Sequence, residues 1–214
     1  MIETLTLRLT GTTALMVSNP VTVDPFADVS KAISELSSKK KRTEAENLEL
    51  HRMKFVAALY VDDVGPFLPG FNILRSVQEG AKLLRQGKTV ERGLTVRDSR
   101  LYLNYQGPKT ADGLWKDKRF VDVRDGKVAS GSRIPVTRPI FPPGWTLDVT
   151  FDVAPDVANP ADILAHAVTA GRLIGVGTYR SRFGKFSVSL VKSSTDLRKI
   201  ADNLGVEVLP NGKA

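Results

Sequence analysis

From Trp145 to Val153 the chain reads Trp-Thr-Leu-Asp-Val-Thr-Phe-Asp-Val, apolar and polar in unbroken alternation. Successive side chains of a strand point to opposite faces, so this segment is a half-buried strand. Thr146, Asp148, Thr150 and Asp152 face outward. Residues 3–10 repeat the pattern, with Leu5, Leu7 and Leu9 opposite Thr4, Thr6, Arg8 and Thr10. Strands with one apolar face need a covering layer, and two helices with single apolar stripes are legible to supply it. Asn72 caps the first, which runs to Gln86 before Gly87, with Ile73, Leu74, Val77, Ala81 and Leu84 inward and Arg75, Gln78, Lys82 and Arg85 on another face. Asn159-Pro160 opens the second, which runs to about Gly171 with Ile163, Leu164, Ala167 and Val168 inward. The expected arrangement is one antiparallel sheet with both helices on a single face.

Other segments are shorter. Val29, Ala32, Ile33 and Leu36 space as a short helix, and Thr43 to Glu46 is a capping box opening a helix to about Arg52. Phe55 to Val61 is apolar throughout and reads as a buried strand. Strands are expected at 89–96, 101–105, 119–124 and 185–191, with a loop at 107–118. Arg133 to Arg138 is extended, because prolines at 135 and 139 exclude a helix and suit an edge strand or arm. A last helix at 195–204 and a polar tail, Pro210 to Ala214, end the sequence. The 214 residues are read as a single domain: a core of about 1–10, 71–96 and 145–192 with insertions at about 11–70 and 97–144.

Composition narrows the chemistry. The longest apolar run has seven residues against the roughly 20 that cross a bilayer, so no membrane segment is expected. Cysteine is absent, which removes disulfides, thiolate metal sites and cysteine nucleophiles and fits a cytoplasmic location. No cofactor is expected. Only His51 and His166 exist, both in predicted helices and both read as exposed on them. Asp148 and Asp152 stand roughly 13 Å apart along their strand, too far to share one ion.

Charge points to an anionic partner. The 31 Lys and Arg exceed the 23 Asp and Glu, for a net charge of +8. From Ile163 to Thr195 there is no acid, while Arg172, Arg180, Arg182, Lys185 and Lys192 fall there. Lys39-Lys40-Lys41-Arg42 forms a second cluster, and Arg75, Lys82, Arg85 and Lys88 a third. Within the acid-free stretch lies Gly175-Val176-Gly177-Thr178-Tyr179-Arg180-Ser181-Arg182-Phe183-Gly184-Lys185-Phe186. It fails the P-loop pattern, since Phe186 follows Gly184-Lys185 and Tyr179 stands where glycine is required. It fails the dinucleotide pattern too, since it leaves a helix and enters a strand. Glycines at 171, 175, 177 and 184 permit close approach of the main chain to a ligand or neighbouring element. Arg180 and Arg182 offer forks for phosphate, and Tyr179 and Phe183 offer faces for bases.

The order strand 3–10, helix 72–86, strand 89–96, strand 145–153, helix 160–171, strand 185–191 is the β-α-β-β-α-β order of a ferredoxin-like or RRM-like sheet. The fold class expected is therefore α+β, with two insertions and a glycine-rich loop before the last strand. So arranged, the chain resembles the RAMP superfamily, most closely the backbone subunits of CRISPR effector complexes. The resemblance covers about 60–70 residues of ordered elements. It implies a palm-like sheet, a finger or web at 11–70, a thumb at 97–144, and RNA contact by Gly175, Gly177, Arg180, Arg182, Gly184 and Lys185. Leu68-Pro69-Gly70 with Glu79-Gly80-Ala81, and Thr137-Arg138-Pro139-Ile140-Phe141, also look like a protein type widespread in tailed bacteriophages. That second likeness places the chain in a host bacterial cytoplasm.

The expected function is non-catalytic binding of RNA or single-stranded DNA. The residues assigned to it are Arg172, Gly175, Gly177, Tyr179, Arg180, Arg182, Gly184 and Lys185, with Lys39, Lys40, Lys41, Arg42, Arg133 and Arg138. A homo-oligomer along the strand is expected through a thumb exposing Ile134, Val136, Ile140 and Phe141, against the competing view that this segment folds back onto its own sheet. The alternatives are a phage structural or assembly protein, and a metal-independent endoribonuclease using His51 or His166. The chain departs from RNA-processing members of the superfamily in having no histidine but His166 near the glycine loop.

Overall fold

The computed structural model describes residues 1–127, 133–180 and 182–210, without the side chains of 127, 133 and 134. Residues 211–214 of the expected tail lie outside it. In chain order the elements are β1 (Glu3–Gly11), β2 (Leu15–Met16), α1 (Asp28–Ser38), α2 (Glu44–Ala58), β3 (Phe67–Pro69), α3 (Gly70–Leu83), α4 (Gly87–Gly93), β4 (Leu94–Val96), β5 (Arg100–Tyr102), α5 (Ala111–Lys116), β6 (Val121–Lys127), β7 (Arg133–Phe141), β8 (Thr146–Val153), α6 (Pro160–Thr169), β9 (Phe186–Ser193), α7 (Arg198–Leu204) and β10 (Glu207–Val208). The fold is mixed α+β with antiparallel pairing in each sheet. The chain divides into two compact units, one of residues 1–15, 67–105 and 143–214, the other of 16–66 and 106–142.

In the first unit the sheet order is β10-β9-β1-β8-β4. β1 is central and antiparallel to both neighbours, with Leu7 opposite Val149 on β8 and Leu190 on β9. β4 pairs antiparallel with β8, and the short β10 runs parallel to β9. The alternation does what it implies: Leu5, Leu7, Leu9, Leu147, Val149, Phe151, Val153, Val188 and Leu190 are all buried. Between Thr6 and Leu7 the register with β9 shifts by a bulge, which keeps both apolar rows on the covered face. α3 and α6 pack on each other, and α6 also packs on β1 and β9. Gly80 makes that approach possible, since a Cβ there would stand 2.8 Å from the His166 carbonyl oxygen.

Several boundaries differ from expectation. α3 ends at Leu83, and Arg85 takes a left-handed φ of 59°, so Leu84 leaves the inward stripe and is exposed. The expected strand at 89–96 is mostly helix α4, with only Leu94–Val96 extended. The strand expected at 101–105 shrinks to β5, paired with β3. β10 carries too short a pattern to be read from sequence.

In the second unit Thr43 caps α2 through the expected capping box. α2 then continues to Ala58, so most of the run Phe55–Val61 is helical rather than a strand. Phe55, Ala57, Ala58 and Leu59 are all buried, and a continuous apolar run serves a buried helix end as well as a buried strand. The loop at 107–118 contains the one-and-a-half-turn α5, capped by the Thr110 hydroxyl. β7 is the middle strand of the sheet β2-β7-β6, not an edge strand or a projecting arm. Its prolines are tolerated because β2 flanks so little of it; the Pro139 carbonyl still accepts from Val17 N–H at 3.2 Å. Phe141 is buried, with its ring 5.9 Å from that of Phe120, and Val136 and Ile140 are half-buried. Residues 128–132 of the expected thumb lie outside the described residues. Among the described residues no helix is long and apolar enough to cross a membrane.

Candidate nucleic-acid interface

The glycine segment is built as a closed loop on a fixed base. α6 starts at the Asn159 cap, whose Oδ1 accepts from the Ala161 N–H at 2.9 Å. Its last turn widens into a π-helical turn, Ala170–Ile174, in which the Gly175 N–H reaches back five residues to the Ala170 carbonyl at 2.8 Å. Such turns recur at functional sites. The chain then reverses through Gly175, φ +77°, and the Val176 N–H donates to the Gly184 carbonyl at 2.9 Å. Gly184 in turn donates to the Ala14 carbonyl at 2.8 Å. From α3, the buried Ser76 hydroxyl donates to the Gly175 carbonyl at 2.8 Å.

Gly171, Gly175 and Gly184 therefore meet neighbouring main chain rather than an open ligand surface, while Gly177 takes a φ of +84° in the loop. A Cβ on Gly184 would lie 1.8 Å from the Val176 carbonyl oxygen, and one on Gly171 2.2 Å from that of Phe186. What the locked base presents is its tip. Tyr179, 45% exposed, holds a left-handed φ of 52° while its carbonyl accepts from the Arg182 and Phe183 N–H groups at 3.3 and 3.1 Å. Arg180 and Arg182 are exposed beside it, and Ser181 lies outside the described residues.

Arg172 is exposed at the π-turn, and Lys185 is half-buried where the loop enters β9. Among the described residues none of Arg172, Arg180, Arg182 and Lys185 forms an ion pair within 4 Å. The nearby acid is Glu79 on α3. Its carboxyl is held below the usual range by the Lys82 hydrogen bond first, at 2.9 Å, then by the charges of Lys82, Arg75 and Arg180. The loop tip and the outer face of α3 thus meet around Glu79, where three cations, Arg75, Lys82 and Arg180, outnumber one carboxylate. That excess can hold successive phosphates, and Tyr179 gives a face for a base.

The remaining sequence candidates are in the second unit and do different work. Arg42 donates to the Ser37 carbonyl at 2.7 Å and to Asn47 Oδ1 at 2.9 Å, closing the α1–α2 joint. Lys39 pairs with Glu46 at 2.7 Å, and Lys40 and Lys41 are exposed. Arg138 stands opposite Asp122 in the β6–β7 ladder, and Arg133 is extended with its side chain outside the described set.

The open face of the first unit's sheet is threonine, serine, ion pairs and the exposed Lys192 opposite Thr6. Arg8 binds Asp148 through two hydrogen bonds, at 2.7 and 2.8 Å, and Arg97 binds Asp152. No aromatic side chain of β1, β8 or β9 lies on that face, so bases have no stacking platform there.

Both histidines depart from the exposed positions expected of them. His166 is 2% exposed, with Nε2 bonded to Gln86 Oε1 at 2.7 Å and Nδ1 without a partner. Burial lowers its pKa, opposed by Asp162. His51 is half-buried on Thr137, and burial, then the charge of Lys54, lowers its pKa. The position of His166 was legible in helical spacing, since Ile163, His166, Ala167 and Ala170 form one stripe, and the same spacing sets Ser76 in a stripe with Ile73, Val77, Gly80 and Ala81. Ser76 is the site residue that sequence reading missed. Among the described residues no group of three or more His, Cys, Asp or Glu is placed to hold a metal ion.

No protein-family model matches the chain, and no curated protein does. Among solved structures it is similar to Cmr1 from Pyrococcus furiosus in its apo form, at 16% identity and a TM-score of 0.30. The comparison covers 96% of this chain, which spans about half (53%) of that one.

Proposed function

We propose that this protein is a non-catalytic nucleic-acid-binding protein of RAMP-like, ferredoxin-like build that holds single-stranded RNA by its backbone. The strand order β9-β1-β8-β4, all antiparallel with both helices on one face, supports the ferredoxin-like assignment. One observation carries the binding role: Tyr179, Arg180 and Arg182 project from a loop whose base is locked by Val176–Gly184 and Ser76–Gly175. A rigid base lowers the ordering cost of binding, and paired guanidinium forks suit phosphate. The burial of His166 speaks against its use as a base on a polymeric substrate.

The test is fluorescence anisotropy with a labelled single-stranded RNA across a salt series. Replacing Arg180 and Arg182 together by Ala should weaken binding and make the slope of log K against log salt shallower by roughly 1.4, at about 0.7 per phosphate contact. The melting temperature should stay nearly unchanged, because both side chains are exposed. Wild-type affinity and slope in the double variant would overturn the assignment.

A further inference from the structure

Behind the loop's base, the π-helical turn, the start of β9 and the end of α7 border an open cleft of about 360 Å³. That is the size of sites that take small organic ligands and larger than a bare inorganic anion needs. Its walls are of two kinds. Val168 and Leu204 give apolar surface and Thr12 gives a hydroxyl, while Arg172 and Lys185 line it as cations; the Ser187 hydroxyl at its edge donates to the Thr10 carbonyl at 3.4 Å. No Asp or Glu lines it among the described residues, and neither cation has a carboxylate partner there. Apolar wall, hydroxyl and paired cations within one small volume match a ligand with a flat apolar part, a polar ring and a phosphate.

We propose that this cleft binds one nucleoside monophosphate, its phosphate between Arg172 and Lys185 and its base against Val168 and Leu204. The hydroxyl of Thr12 then meets the ribose or the base edge. The proposal rests on the nucleic-acid reading above and deepens it: one nucleotide of the bound strand enters the cleft while the loop tip holds its neighbours' phosphates. The same chemistry would recognise a free mononucleotide, so the experiment separates the two sources.

The full-length protein is titrated calorimetrically with AMP, ribose 5-phosphate and inorganic phosphate, then with AMP in the presence of saturating single-stranded RNA. AMP should bind at least about tenfold tighter than inorganic phosphate, a difference worth about 1.4 kcal/mol. Arg172→Ala with Lys185→Ala, and separately Val168→Trp, should each weaken AMP at least about tenfold. Arg180→Ala with Arg182→Ala should leave AMP binding as it is. If Val168→Trp does not fold by circular dichroism, the Arg172 and Lys185 variant decides alone. RNA should exclude AMP; simultaneous binding of both would overturn the strand assignment and leave a free-nucleotide site. RNA binding without AMP binding would overturn the cleft and spare the loop. AMP binding without RNA binding would overturn the loop and spare the cleft, and equal affinity for AMP and phosphate would overturn recognition of the nucleoside.

Discussion

Removing the hydroxyl of Ser76 tests whether the glycine loop is held from α3. The side chain is fully buried, and it donates at 2.8 Å to the carbonyl of Gly175, itself buried at the point where the chain reverses. Ser76→Ala deletes one atom, so the cavity term is small. The main cost is the Gly175 carbonyl left without this donor in a site closed to water. A buried polar group losing its partner costs about 1–3 kcal/mol, against a net value of about 1 kcal/mol for an ordinary hydrogen bond. Urea unfolding at 25 °C should therefore show a loss of about 1–3 kcal/mol. The loop should also open more often, and hydrogen exchange at the Val176 amide, bonded to Gly184 across the base, should accelerate about tenfold or more for each 1.4 kcal/mol lost locally. A stability change below about 0.5 kcal/mol with unaltered exchange at Val176 would refute the reasoning, because it would mean that the carbonyl finds another donor at no cost.

Three further outcomes follow from particular residues. Gly184→Ala forces a Cβ to 1.8 Å from the Val176 carbonyl at a φ of +69°, so the base of the loop must open; a melting temperature equal to wild type would show that this contact is not fixed. Asn159→Ala removes the cap of α6 and should cost about 1 kcal/mol in urea unfolding, checked against an unchanged denaturant slope. Burial holds the pKa of His166 below its unfolded value near 6.5, so the unfolded chain gains a proton first as the pH falls through that value. Stability from this residue is fully present above about pH 7 and is lost on acidification, at up to about 1.4 kcal/mol per pH unit; His166→Gln should flatten that slope between pH 7 and 5. An equally steep slope in the variant would assign the effect elsewhere.

The sequence by itself determined the elements whose signals are local. Alternation over 3–10 and 145–153 set both the strands and the faces they bury, because a period of two leaves no choice of side once one face must be covered. Asn159-Pro160 and the Thr43–Glu46 capping box fixed two helix starts, since a cap is satisfied within four residues of itself. Element order, read with those faces, was enough to anticipate a mixed α+β fold built on an antiparallel sheet. Tertiary structure decided what depends on distant partners. Phe55–Ala58 became helix because α2 carries it into a core that a continuous apolar run fits equally well, and Arg133–Phe141 became a middle strand because β6 and β2 flank it on its two sides. Local spacing likewise did not separate glycines that approach a ligand from glycines that approach their own loop. That distinction lies in Ser76, Ala14 and Phe186, which reach Gly175, Gly184 and Gly171 only once helix, strand and loop have packed together.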